Sequence, residues 1–208
     1  MKIDYTLYLV TNNKNKTKEE FLKTIEESLK GGVSLVQVRE KNLNDDEFLN
    51  VALNVKKILK KYEIPLIIND NVKIAKKIDA DGVHVGQDDL EAKKARDILG
   101  ENKIIGVSAH NIQEAKKAEE DGADYIGCGT IFNSPTKSDA KSLTKKDLID
   151  VVNAVDIPVV YIGGITKNNI KELANTGIKG VSVVSAIMES ENPKLSSENL
   201  KKEIEKII

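Results

Sequence analysis

The sequence predicts an α/β chain folded as a (β/α)8 TIM barrel, a single domain over residues 1–208. Three observations carry that prediction. Short apolar runs recur eight times, separated by charged stretches with helical periodicity. Polar residues crowd the end of nearly every run. A barrel draws on all its strand ends, whereas the rival doubly wound open sheet concentrates its site at one switch point. Several helical stretches also close in a glycine-bearing turn just before the next run, at Gly31-Gly32, Gly82, Gly122 and Gly177, where glycine takes the left-handed conformation cheaply.

The runs read as buried parallel strands: Leu7–Val10, Leu35–Val38, Pro65–Ile68, Val83–Val85, Ile104–Val107, Tyr125–Cys128, Val159–Ile162 and Val181–Val184. Between them lie the amphipathic stretches Lys18–Leu29, Asp45–Lys61, Asn111–Asp121, Lys145–Val155 and Asn168–Asn175. The tail, Ser196–Ile208, reads as the closing helix. No linker, low-complexity run or second domain is visible.

Composition narrows the class. Of the residues, 40% are hydrophobic, enough for one substantial core. The net charge of −1 gives no basic field for nucleic acid or for an anionic membrane. No apolar stretch approaches the roughly 20 residues that span a bilayer. The N-terminal residues lack a signal-peptide apolar region. Cys128 is the one cysteine, which excludes an internal disulfide framework and a cysteine zinc site. A cytoplasmic protein acting on small molecules is the expectation, its oligomeric state left open.

All but two of the 32 basic residues are lysine. The exceptions are Arg39 and Arg96, and arginine offers a planar fork that binds phosphate or carboxylate bidentately. Arg39 ends the second strand among Gln37, Arg39 and Lys41, which alternate and so share one face of an extended segment. Turned into the barrel, that face is a receptor for a polyanion. Arg96 sits within a helix, where a structural ion pair is expected.

Two acidic turns complement this cluster. One is Asn69-Asp70 after the third strand; the other holds Asp88-Asp89 after the fourth. Carboxylates at the same edge of a parallel sheet suit a hard cation, and Asp70 with Asp89 would hold one Mg²⁺. The competing reading makes them helix N-caps, with Asp88 the cap of the second turn. Ser108, after the fifth strand, either hydrogen-bonds a ligand or caps the next helix. His110 is a general acid or base, or a plain turn residue. His84 lies inside an apolar run and reads as structural, and Cys128 as a small buried residue.

The longest loop, Gly129–Lys137, is rich in hydroxyls and carries Ser134, Thr136 and Lys137. Such a loop can fold over a substrate and exclude water. Gly163-Gly164 follows the seventh strand and Val184-Ser185 the eighth. Together they form the usual phosphate site of such barrels, built from backbone N–H groups. The chain thus presents two anion sites, one metal-assisted and sized for a diphosphate, the other metal-free and sized for a monophosphate.

The segments Gln37–Lys41, Ile68–Asp70, Ala80–Asp89, Gly106–His110, Gly129–Lys137, Ile162–Thr166 and Val183–Ala186 resemble those of the thiamine-phosphate synthase (thiamine-phosphate pyrophosphorylase) family. The likeness runs from Leu7 to about Pro193. It implies a transferase that couples 4-amino-5-hydroxymethyl-2-methylpyrimidine diphosphate to 4-methyl-5-(2-phosphoethyl)thiazole, releasing diphosphate by a dissociative, Mg²⁺-assisted substitution. It further implies that Gln37, Arg39 and Lys41 bind the diphosphate end, assisted by Asn69 and Lys137. Asp70 and Asp89 match the metal ligands, Ser108 a substrate-binding position, and Ser134 and Thr136 the loop contacts to the thiazole phosphate. Gly164, Val184 and Ser185 match the rest of that phosphate site. One departure is Asn133, where the family commonly has proline. Thiazole tautomerase-like relatives share the outline without the full metal and diphosphate constellation. A sensor of thiamine phosphates is the non-catalytic alternative.

Overall fold

The computed structural model describes residues 3–132 and 143–208. Eight parallel strands close on themselves: β1 Leu7–Val10, β2 Leu35–Val38, β3 Leu66–Asn69, β4 Gly82–Val85, β5 Ile104–Ala109, β6 Tyr125–Cys128, β7 Val159–Ile162 and β8 Gly180–Val183. Each pairs with its sequence neighbours, and β8 pairs with β1 through Tyr8↔Ser182. The barrel is therefore closed, and the open-sheet alternative is excluded. Strand ends differ from the sequence reading by a residue or two, as hydrogen bonding rather than hydropathy sets them.

The outer shell comprises α1 Lys18–Lys30, α2 Asp45–Lys61, α3 Val72–Lys77, α4 Ala92–Leu99, α5 Ile112–Glu120, α6 Lys145–Ala154, α7 Ser185–Met188 and α8 Pro193–Ile204. Reciprocal capping boxes start three of them: Thr17 with Glu20, Asn44 with Glu47, and Thr144 with Asp147. Each cap is worth about 1 kcal/mol. Two expectations are corrected. The segment expected to be helical over Asn168–Asn175 is a 3-10 turn, Ile170–Leu173. Asn169 lies at its start and bonds backward, its amide donating to the Gly164 carbonyl and its oxygen accepting from the Thr166 N–H. Such local bonds compete with a helix. The closing helix begins at Pro193 rather than Ser196, because Asn192 caps it and proline suits the first turn.

Strand alternation builds two cores. Leu7, Leu9, Val36, Val38, Ile68 and Val83 pack outward against the helices. Tyr5, Tyr8, Leu35, Ile67, Tyr125 and Val160 form a separate cluster that fills the barrel interior. The N-terminal end of the barrel is tied by Asp81, which accepts from the Leu66 N–H at 2.8 Å, and by Asp124, which accepts from the Ile105 N–H at 2.7 Å. Arg96 joins this end as a hub. It donates to the carbonyls of Gly100, Glu101, Lys103 and Gly122 and to the Asp124 carboxylate at 2.7 Å. The expected structural role for Arg96 is what the fold uses. No helix among the described residues is long and apolar enough to cross a membrane.

Candidate active site

One cavity opens at the C-terminal mouth of the barrel. It gathers Gln37, Arg39, Lys41, Asn69, Asp70, Asp89 and Ser108 with Gly164, Val184 and Ser185. These come from six strand ends, and the shared direction of parallel strands is what brings them to one mouth. Ser134, Thr136 and Lys137, with Asn133, lie outside the described residues.

On one side stand the cations. Thr11 Oγ1 accepts from the Arg39 N–H at 3.1 Å and pins the backbone where β2 ends. Among the described residues the Arg39 guanidinium has no carboxylate within 4.0 Å, whereas Arg96 pairs with Asp124 and with four backbone carbonyls. The two arginines that the sequence singled out thus divide: one holds the fold and the other faces the cavity. Lys41 Nζ reaches Asp70 Oδ2 at 2.7 Å. The neighbouring Glu40 is pushed up to about 7 by burial, against the opposing pull of Arg39, and one of its oxygens is buried with no hydrogen-bond partner among the described residues.

The carboxylates face them. Asp70 takes a left-handed backbone, φ 59°, held by its N–H donating to the His84 carbonyl at 2.8 Å. A residue with a Cβ is uncommon there, and such strain clusters at functional positions. Asp89 Oδ2 accepts from the Gly86 N–H at 2.7 Å. Partial burial of the carboxyl, then a hydrogen bond and like charge from Asp70, hold Asp89 above the usual carboxylate range. Neither aspartate caps a helix. Asn71 caps α3, bonding the Ile74 N–H at 3.0 Å, and Glu91 precedes α4 with no side-chain cap. Asp88, expected as the second cap, is therefore corrected, because α4 starts later than the turn suggested. Two adjacent carboxylates, one left-handed and one partly desolvated, form a donor set that fits a hard divalent cation completing its shell with ligand oxygens. Among the described residues no group of three His, Cys, Asp or Glu is placed to hold a metal.

The floor is polar. Gln37, only 4% exposed, donates from Nε2 to Tyr8 Oη at 2.6 Å. Tyr8 and Tyr125 Oη are 2.8 Å apart. His84 Nδ1 lies 2.9 Å from Tyr125 Oη and its Nε2 lies 3.0 Å from Ser108 Oγ. His84 was read as structural; it lines the cavity as well. Ser108 is not a cap, since Asn111 accepts from the Glu114 N–H and starts α5. His110 also lines the cavity, and its backbone N–H and Nδ1 both face Glu114 Oε2. Burial works against the Glu114 charge, but these bonds and the Asn111 amide win, and its carboxyl sits below the usual range. Cys128 is buried, its thiol pushed up to about 12 mainly by desolvation.

The opposite wall is built from backbone. Gly163 and Gly164 hold φ of 116° and 63°, a turn closed to most side chains. A Cβ on Gly163 would overlap the Thr130 hydroxyl. Tyr161 Oη accepts from the Ile131 N–H at 2.8 Å and the Phe132 N–H at 3.3 Å, and donates to the Gly163 carbonyl at 2.9 Å. One phenol therefore ties the root of the β6 loop to the β7 turn. The Ser182 hydroxyl, buried in the cavity wall, has no protein partner among the described residues. Sequence reasoning missed Tyr8, Tyr125, Tyr161, Thr130 and Ser182. Each sits in or just beyond an apolar run where an aromatic or small polar residue reads as packing. Strict inward–outward alternation along the runs was the available signal for Tyr8, Tyr125 and Ser182.

Comparison with known proteins places this geometry. The sequence profile of a family described as thiamine monophosphate synthase matches residues 7–187. The chain is 61% identical to a thiamine-phosphate synthase of Methanobrevibacter smithii, over 97% of this chain and 96% of the relative. It is 50% identical to one of Clostridium botulinum, over 99% and 97%. The solved thiamine phosphate pyrophosphorylase of Pyrococcus furiosus superposes with a TM-score of 0.90 at 34% identity, covering 99% of this chain and 98% of that one. With the match running through every strand, from the start of β1 into the short helix behind β8, the chain belongs to the thiamine monophosphate synthase family.

Proposed function

We propose that the chain is a transferase that joins 4-amino-5-hydroxymethyl-2-methylpyrimidine diphosphate to 4-methyl-5-(2-phosphoethyl)thiazole, giving thiamine phosphate and diphosphate. The observation that carries this reading is the juxtaposition at one mouth of Arg39, which no described carboxylate approaches within 4.0 Å, Lys41 and the Asp70–Asp89 pair, facing a backbone-lined turn across the cavity. The first group suits a diphosphate and the second a monophosphate.

Arg39 and Lys41 bind the diphosphate, and the guanidinium fork orients it. Gln37 binds the same diphosphate end, and Asn69 assists. Asp70 and Asp89 would hold Mg²⁺, which supplies charge neutralisation on the departing diphosphate. Lys137, from the β6 loop, adds a further cation to the same leaving group. As the carbon–oxygen bond breaks, positive charge moves to the pyrimidine methylene, and the cationic side chains stabilise the negative charge gathering opposite. The floor of Gln37, Tyr8, Tyr125 and His84 offers no carboxylate that would trap the cation. Ser134 and Thr136 contact the thiazole phosphate, while backbone groups at Gly164, Val184 and Ser185 bind its oxygens. That positions the thiazole nitrogen for attack and keeps water out. No protein base is needed, since the attacking nitrogen carries no proton. Both substrates are charged esters that do not cross membranes unaided, which fits a cytoplasmic enzyme.

The test is direct. Purified protein mixed with both substrates and Mg²⁺ is expected to release thiamine phosphate and diphosphate in equal amounts. Binding of the substrates without product would reject the transferase reading in favour of a sensor.

A further inference from the structure

We infer that Tyr125 is a positioning residue whose phenol holds His84 as the neutral Nε2–H tautomer and so leaves the Ser108 hydroxyl as a hydrogen-bond donor to a ligand in the cavity. The inference rests on a continuous chain of four hydrogen bonds crossing the barrel: Gln37 to Tyr8 at 2.6 Å, Tyr8 to Tyr125 at 2.8 Å, Tyr125 to His84 at 2.9 Å and His84 to Ser108 at 3.0 Å.

The direction of the chain follows from burial. Gln37 Nε2 is a donor, so Tyr8 Oη accepts. Tyr8 is 2% exposed and Tyr125 0%. Each phenol owns one proton. If Tyr125 donated to Tyr8, the Tyr8 proton would be left without an acceptor among the described residues, and a stranded buried donor is costly. Tyr8 therefore donates to Tyr125. The same reasoning, applied once more, sends the Tyr125 proton to His84 Nδ1. That nitrogen must then be bare, and the imidazole carries its hydrogen on Nε2, facing Ser108 Oγ. Ser108 accepts there, and its own proton remains for whatever occupies the cavity. Burial raises both phenols far above their ordinary value, so both protons stay in place at neutral pH.

The packing shows that room is reserved for the two rings. His84, Gly106 and Tyr125 lie side by side across β4, β5 and β6. A Cβ on Gly106 would overlap the Tyr125 phenol, and one on Gly127 would come within 2.9 Å of His84 Cε1. The rings stand 5.4 Å apart, tilted by 37°. Glycine at both places leaves the phenol and imidazole in hydrogen-bonding register.

The consequence for catalysis rests on the proposed transferase reading. Gln87, in the second acidic turn, donates to the Ser108 carbonyl at 2.6 Å, so Ser108 stands beside the carboxylates assigned here to the diphosphate end. Breaking the chain at Tyr125 should weaken the pyrimidine diphosphate and spare the thiazole phosphate.

The test uses ¹⁵N-histidine labelling of the ligand-free protein. The chain has only 2 histidines, and His110→Asn assigns the signals. The wild type is expected to show a pyridine-type Nδ1 and a pyrrole-type Nε2 for His84, a measurement that needs no variant to fold. Tyr8→Phe should keep that pattern, because Tyr125 still donates. Tyr125→Phe should lose it and raise the KM for the pyrimidine diphosphate about ten-fold, the effect of one misdirected hydrogen bond, with the other KM within about two-fold. A hydrogen on His84 Nδ1 in the wild type overturns the inference. So does an equal rise in both KM values, which marks a merely structural loosening. Absence of turnover by the wild type would instead reject the transferase reading and leave the tautomer measurement standing.

Discussion

Replacing Asp89 with asparagine separates the roles open to an acidic turn residue. The amide keeps an oxygen within reach of the Gly86 N–H, which lies 2.7 Å from the carboxylate, and it removes one negative charge beside Asp70. Exchanging a charged acceptor for a neutral one costs about 0.5–1 kcal/mol. Relief of the like-charge repulsion returns about 1 kcal/mol at the high dielectric of a solvent-facing rim. The two offset, so fold stability should change by less than about 1 kcal/mol. Catalysis has no such offset. A cation held by two carboxylates keeps one, and the loss should lower kcat/KM by about 100-fold at limiting Mg²⁺, equivalent to about 2.7 kcal/mol. The assay is urea unfolding in chelator, paired with diphosphate release titrated against Mg²⁺. Turnover within about three-fold of wild type, or a stability loss above about 2 kcal/mol, would refute the reasoning and make Asp89 a structural turn residue.

Arg39→Lys should lower kcat/KM by about 10- to 100-fold with an unchanged urea midpoint, because charge is retained, the fork is lost and no described carboxylate pairs with Arg39. Arg96→Ala should cost about 2–4 kcal/mol of stability by urea unfolding, since it leaves Asp124 and four carbonyls at the N-terminal end without their donor. Its folded fraction should turn over as wild type does. Glu40→Gln should flatten the pH dependence of stability. The folded carboxyl holds its proton up to about pH 7 against an ordinary 4.5, so its contribution falls as pH rises through that window and is absent above it. The variant should unfold at higher temperature than wild type at pH 8, the gap closing toward pH 4.5. An equal gap at both values would count against a buried Glu40.

The strands were legible because each carries its own hydropathic signature, and Leu35–Val38 shows it as clearly in sequence as in the sheet. The candidate site was legible wherever a strand ended in residues that a core rejects: Arg39, Asp70, Asp89 and Gly163-Gly164. Less was visible where one residue type serves two purposes. Tyr8 and Tyr125 are apolar enough to pass as core and polar enough to carry the cavity floor. Asp88 and Asp89 are neighbours in one dimension; the late start of α4 leaves Asp88 without a capping role, and the turn back to Gly86 brings Asp89 to the cavity. Asn168–Asn175 had a helical pattern, but Asn169 bonded backward to the β7 turn instead.

Local pattern alone determined the alternating elements, their parallel arrangement and the kinds of charge at the mouth, while closure itself rests on the β8–β1 pairing. Hydropathic period and strand-end polarity are properties of neighbours along the chain. Tertiary structure decided which arginine meets the cavity and which ties down the opposite end, and that one phenol on β6 reaches a histidine on β4. Those outcomes depend on strand register and on the depth of each inward side chain. Such quantities exist only once eight separate segments have closed around a shared axis.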